Sequence, residues 1–269
     1  MSEYFFLIAI YPFILFSSIL IGLEFTYITT MKNENDPNRR CEILLTLEEN
    51  VKNEYLENLV ILYEGNENDL TFKELKNFNS SKIHIEMINF RPSVSTIFSY
   101  LNEKFPKDFV MMSNSDIVID ESIKNIESIH LDNTILALSR FNRVNDKWKL
   151  SKVGFFKDDQ YYSASQDVWI MKTPFDFPAG TFDRFWLGKW GVEKFVNYFI
   201  RAGYKINNPC LDVKIYHFHS IIEAHQPHQL YLDLPDVYLK YSTLNEPEDL
   251  IIDFKNLVIN QDPHEKLSF

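Results

Sequence analysis

The segment Asn114-Ser115-Asp116-Ile117 follows the apolar run Phe109-Val110-Met111-Met112, so a carboxylate stands where a buried strand should emerge. In open α/β sheets, ligands bind at that edge. About 100 residues later, Tyr216-His217-Phe218-His219 sets imidazoles at the end of another strand-like stretch. Carboxylate oxygen and imidazole nitrogen suit Mn²⁺ or Mg²⁺, and an ion held there would stabilise negative charge building on a leaving group. Asp116 is the first candidate ligand and His217 the second. His219 shares the direction of His217 if the segment stays extended, because a strand repeats every two residues.

Glu193 stands just after Gly191, at the start of a helical pattern, where free backbone amides favour negative charge. A carboxylate so placed can deprotonate a hydroxyl. Ser165-Gln166-Asp167 offers hydrogen-bonding groups ahead of Val168-Trp169-Ile170-Met171, and Trp169, with apolar flanks, reads as core. Each feature also has a plain structural reading. Asp116 can cap the turn that follows it, His-Phe-His can be a half-exposed strand, and Glu193 can be a first-turn acid on a surface helix.

The elements that must position these residues can be traced by periodicity. Phe25 to Thr29 reads as a first strand, and Asp36-Pro37 as an N-cap followed by proline at the first helical position. Cys41, Leu44, Leu47 and Val51 continue that helix to about Asn53. Leu59 to Tyr63 and Ile83 to Ile88 read as strands, and Pro92 opens a helical pattern through Ile97, Leu101 and Phe105. Phe109 to Ser113 is the next strand, Glu121 to Ile129 a short helix and Thr134 to Ser139 another strand. The alternation over residues 25 to 140 predicts a mostly parallel sheet with helices on both faces. Beyond Arg140 the pattern loosens to a strand at Val168 to Met171, a helix from Val192 to Ala202 ending at Gly203, and a strand from Val213 into Tyr216.

Within 269 residues, 45% of them hydrophobic, no linker-like composition break appears, which predicts one main domain. Two cysteines, Cys41 and Cys210, are too few for a disulfide framework. A net charge of −11 with no dense Lys/Arg run argues against a nucleic-acid partner. Tyr4 to Leu23 is 20 residues without a charge, the length of a membrane-crossing helix. The expected division is a membrane anchor over residues 1–24, a domain over 25–225 and an acidic extension over 226–269. Localisation is expected to be a single-pass membrane, with Lys32, Arg39 and Arg40 on the flank that favours the cytoplasmic side.

The order of short motifs resembles glycosyltransferases of the GT-A fold, in particular a group of small ones. The matching segments are Asn114 to Ile117, Leu138-Ser139-Arg140, Ser165 to Trp169, Gly191 to Lys194, Ala202-Gly203-Tyr204, Asn208-Pro209-Cys210-Leu211 and Tyr216 to His219. The resemblance covers about residues 25 to 225. The resemblance implies a GT-A-like, Rossmann-like α/β fold behind an N-terminal apolar helix. It further implies metal-assisted transfer of a sugar from a nucleotide-diphosphate donor to a glycan, lipid or protein acceptor.

By that resemblance Asp116 is the final acid of a DxD-type metal motif, His217 completes the metal and diphosphate site with Mn²⁺ or Mg²⁺, and Glu193 is the acidic catalytic residue. Thr29, Thr30 and Arg91 would face the nucleotide, with Asn114, Ser115, Arg140 and Asp167 lining the donor site. Two departures stand out. Asn114 replaces the first acid of the DxD motif, and Val192-Glu193-Lys194 replaces Cys-Asp-Asn. The alternative they leave is a sugar-nucleotide-binding protein without activity. A nucleotidyltransferase ranks last, because Thr29 to Asp36 contains no glycine for a phosphate-cradling loop.

Overall fold

Phe25 to Lys32 is rich in β-branched and aromatic residues and forms the central strand β1 (Phe25–Lys32). Asp36 caps α1 (Pro37–Lys52) by accepting hydrogen bonds from the amides of Asn38 and Arg39, while proline fills a first-turn position that needs no amide donor. β2 (Leu56–Glu64), α2 (Leu70–Leu75), β3 (Ile83–Ile88), α3 (Val94–Lys104) and β4 (Phe109–Ser113) follow. After the turn at Ser115-Asp116 come β5 (Ile117–Ile119), a 3₁₀ helix (Glu121–Ser128) and β6 (Thr134–Leu138). Hairpins β7 (Phe141–Val144) with β8 (Lys147–Leu150), and β9 (Gly154–Lys157) with β10 (Gln160–Ser163), precede β11 (Val168–Lys172). A 3₁₀ helix (Val192–Phe195) continues as α4 (Val196–Arg201), before β12 (Lys205–Asn207), β13 (Ile215–His217), β14 (Asp236–Lys240) and β15 (Leu250–Asp253). This computed structural model describes residues 23–128, 131–189, 191–218, 234–246 and 249–253.

Seven strands form the main sheet in the order β12-β6-β11-β4-β1-β2-β3. Its neighbours are parallel except at β11, which runs antiparallel to both β4 and β6. Side chains alternate between two cores, as a sheet covered on both faces requires. Ile28, Val110, Met112 and Trp169 enter one core with α3 and α4; Tyr27, Met111, Val168 and Ile170 enter the other with α1 and α2. The first core is strongly aromatic: Phe98 alone meets the rings of Phe175, Phe182, Phe195 and Phe199 at centroid distances of 4.4 to 6.1 Å.

From β1 the chain moves outward to β2 and β3, then returns to the other side of β1 as β4. Strand order therefore reverses between β1 and β4, and a crevice opens at their carboxyl ends. Two smaller sheets flank that edge, in the orders β5-β13-β7-β8 and β15-β14-β10-β9.

The expected single-pass membrane localisation needs correction. Among the described residues no helix is long and apolar enough to cross a membrane. Residues 1–22 of the expected span lie outside the described residues. At its end, Leu23 is non-helical and packs against the sheet core as the chain enters β1, so the last apolar residue of the run serves the domain interior. The helix expected from Val192 to Ala202 is realised in two pieces, 3₁₀ then α.

β5 is held from an unexpected side. Buried Asn50, inside α1, donates its side-chain amide to Ile117 O at 2.9 Å and accepts from Ile119 N at 2.9 Å, acting as a one-residue strand partner. Asn53 adds a bond to Ile119 O at 3.0 Å. Asn50→Leu would leave a buried amide and carbonyl unpaired, at about 1–3 kcal/mol each. The expected outcome is a loss of about 2–5 kcal/mol in urea unfolding with unchanged m-value.

Candidate active site

The crevice at the carboxyl ends of β1 and β4 is a cavity of about 820 Å³. Thr30, Arg91, Asn114, Ser115, Asp116, Arg140, Asp167, Glu193 and His217 all line it. Thr29 does not; it is fully buried, and its hydroxyl oxygen has no hydrogen-bond partner among the described residues. His219 lies outside the described residues. A second hollow of about 630 Å³, walled by Lys107, Phe109, Thr134 and Lys172, lies toward the opposite ends of β4 and β6 and contains none of these side chains.

Asp116 and His217 meet because β13 pairs antiparallel with β5, setting His217 opposite Ile117, and Phe218 N donates to Asp116 O at 2.9 Å. The His217 Nε2 to Asp116 Oδ2 distance is 3.0 Å. Arg39, in the first turn of α1, donates from Nη2 to that same Oδ2 at 2.5 Å and from Nη1 to Glu42 at 3.1 Å. Asp116 is only 7% exposed. Burial opposes its ionisation, yet the hydrogen bond and charge of His217, with the Arg39 guanidinium, hold the carboxyl well below the usual range.

Asp167 is a second hub. β11 lies between β4 and β6, so the residue before it sits beside Asn114 on one side and near Arg140 on the other. Its Oδ1 accepts from Arg140 Nη1 at 2.6 Å and from Asn114 Nδ2 at 3.2 Å, and its Oδ2 from Ser165 Oγ at 3.3 Å. The other end of the Asn114 amide accepts from Gly188 N at 2.8 Å. Asparagine at this position thus does what an aspartate cannot, donating to one group while accepting from another.

Glu193 follows Gly191, whose φ of 87° is a left-handed turn that favours glycine. Burial pushes the Glu193 carboxyl up to about 8, with the Asp167 and Asp236 carboxylates pushing the same way. Lys194 turns elsewhere: buried, it donates from Nζ to Leu234 O at 2.9 Å and pairs with Asp236 at 2.9 Å, clasping the chain as it enters β14. The cation at this departure from the expected motif has a structural task.

Several wall residues escaped the sequence reading. Asp236 and Tyr238 come from β14, within a stretch that shows no motif, and Phe155 comes from an exposed hairpin. Arg39 counted only as charge flanking an apolar run, although its place one turn into the helix after β1 directs it to the crevice edge. The donor set also differs from the expected Mn²⁺ or Mg²⁺ site. Among the described residues no group of three or more His, Cys, Asp or Glu side chains is arranged to hold a metal. The Oδ2 of Asp116 is shared by Arg39 and His217, and Asn114 supplies no charge, so these residues do not fit a hard divalent ion that takes about six oxygen ligands.

Asn114→Asp would set two carboxylates at the 3.2 Å contact with Asp167. A destabilisation of about 1–3 kcal/mol is expected at pH 7. It should shrink as pH falls through the carboxylate range, because one of the pair then takes up a proton; urea titrations of both proteins at pH 7 and pH 4 measure it.

No protein-family model matches the chain, and no curated protein matches it. Among solved structures it is similar to GalNAc-T7, solved with UDP, GalNAc and Mn²⁺, at TM-score 0.51 and 12% identity over 80% of this chain and 47% of that one. The chain therefore spans about half the length of that neighbour. Also similar are TarS of S. aureus in complex with UDP-GlcNAc, at TM-score 0.34 and 16% identity over 48% of this chain and 38% of that one, and the inositol-1-phosphate CTP transferase of T. maritima, at 0.43 and 11% over 78% and 94%. With a mostly parallel sheet and a crevice at its order reversal, the chain has a nucleotide-diphospho-sugar transferase-like fold of GT-A type.

Proposed function

We propose that this protein is a glycosyltransferase that moves a sugar from a nucleotide-diphosphate donor to an acceptor hydroxyl in the crevice between β1 and β4. The observation that carries this reading is convergence: motif residues as far apart in the sequence as Asn114 and His217 line one cavity of about 820 Å³. That volume suits a ligand of nucleotide-sugar size. The UDP and GalNAc of the similar GalNAc-T7 structure support the same ligand class.

In this reading Thr30 and Arg91 face the nucleotide. The Asn114-Asp167-Arg140 network fixes the floor beneath the donor, and its members hold one another in place before the donor arrives. The acceptor oxygen forms a bond to the anomeric carbon as the bond from that carbon to the phosphate oxygen breaks. The electron pair leaves with the diphosphate, and the hydroxyl proton passes to Glu193.

For that last step Glu193 must be ionised, and burial favours its protonated form below about pH 8. Turnover limited by this base therefore rises as pH climbs through about 8. A second reading, donor binding without transfer, draws on the same burial, which favours the protonated form of Glu193 at neutral pH.

A panel of nucleotide sugars, assayed for hydrolysis and transfer across pH 6 to 9, separates the two. Wild type is expected to turn over one donor with a rising profile. Glu193→Gln should lose about 10²–10⁴-fold in kcat while still binding that donor in a thermal-shift measurement. Equal turnover in the variant would remove Glu193 from the chemistry, and binding without turnover by wild type would leave the second reading.

A further inference from the structure

Resting on the donor assignment just made, we propose that the donor diphosphate is held by the protein's own cations, with Arg39 standing between it and Asp116 in the place a divalent ion would occupy. The Arg39 guanidinium already spans Asp116 and Glu42, at 2.5 and 3.1 Å. It sits on the cavity wall one turn from the capped start of α1. Two of its nitrogens serve those carboxylates, and guanidinium carries five N–H donors, so others remain for phosphate oxygens.

The acids a metal would need are engaged. Both Asp167 oxygens accept hydrogen bonds, and the Asn114 amide is committed at both ends. Asp116, Asp167 and Asp236 each have a basic partner in Arg39, Arg140 and Lys194. Lys32, Arg91 and Lys189 also line the cavity, and none of them has a carboxylate partner among the described residues. Arg91 is oriented by its bond to Leu187 O at 3.0 Å. Against these three cations stand three wall acids without a basic partner among the described residues, Glu34, Glu64 and Glu193, and burial favours the uncharged form of Glu193 below about pH 8. An entering diphosphate thus meets fixed positive charge aimed from β1, α1 and the Leu187 loop. Charge-assisted bonds of this kind are about twice as strong as neutral ones.

Titration calorimetry of the full chain with UDP, GDP, ADP and CDP, each in EDTA and in Mn²⁺, tests the assignment. The expected result is binding of at least one nucleoside diphosphate in EDTA, with Kd changed less than about threefold by Mn²⁺. Arg39→Gln should weaken that Kd by about tenfold or more, and Arg39→Lys by less, because it keeps the charge without the fork. Circular dichroism melts show whether the variants fold; if Arg39→Gln does not, the metal comparison on wild type decides alone. Binding that requires Mn²⁺, or an Arg39→Gln affinity equal to wild type, would overturn this inference while leaving the donor assignment standing. No binding of any nucleoside diphosphate under either condition would instead overturn the donor assignment.

Discussion

A carboxylate that is 7% exposed needs a compensating charge, and Asp116 has Arg39 and His217 within hydrogen-bond reach. Leaving such a group buried and unpaired is far costlier than the net gain from pairing it, so the pairing acts as a constraint on everything around it. Satisfying Asp116 fixes where α1 begins, where the turn after β4 points and how β13 registers on β5. The same three elements form the back of the crevice. Wall geometry and the neutralisation of one acid are a single requirement.

Around that anchor the polar groups form a chain of mutual commitments. Asp167 collects Arg140, Asn114 and Ser165, and Asn114 passes the connection to Gly188 in the loop leading to Glu193. Networks in which every member is satisfied rigidify a site, whereas a half-satisfied one destabilises it. The departures from the expected motif follow this logic. The asparagine is needed because its neighbour is already an anion, and Lys194 closes the gap between the helix start and β14.

Much of the fold was legible in the sequence. β4 begins and ends with its apolar run because the core buries it, β3 keeps the alternation of a half-covered edge strand, and α1 follows its Asp-Pro signal. The hairpins β7 to β10 were not legible. β9 is exposed at every position, so no alternation marks it. β14 and β15 are short and take their stability from pairing with each other and with β10, which no local pattern records. At the site, residue types at strand ends could be read directly. Which cation answers which acid could not, since Arg39 and Asp116 are 77 positions apart and are brought together only by the way the sheet is ordered.

The crevice draws one wall from β1 and another from β14, and its central contacts bridge 74, 77 and 101 positions. Closing such loops carries a chain-entropy cost that must be met before the contacts reward it. During folding, local units such as the α1 turn or the β7–β8 hairpin can form early, while the crevice takes shape only once the β13 and β14 segments dock. A ligand that recognises the finished crevice stabilises the native state over partly folded species, in proportion to its concentration above its dissociation constant.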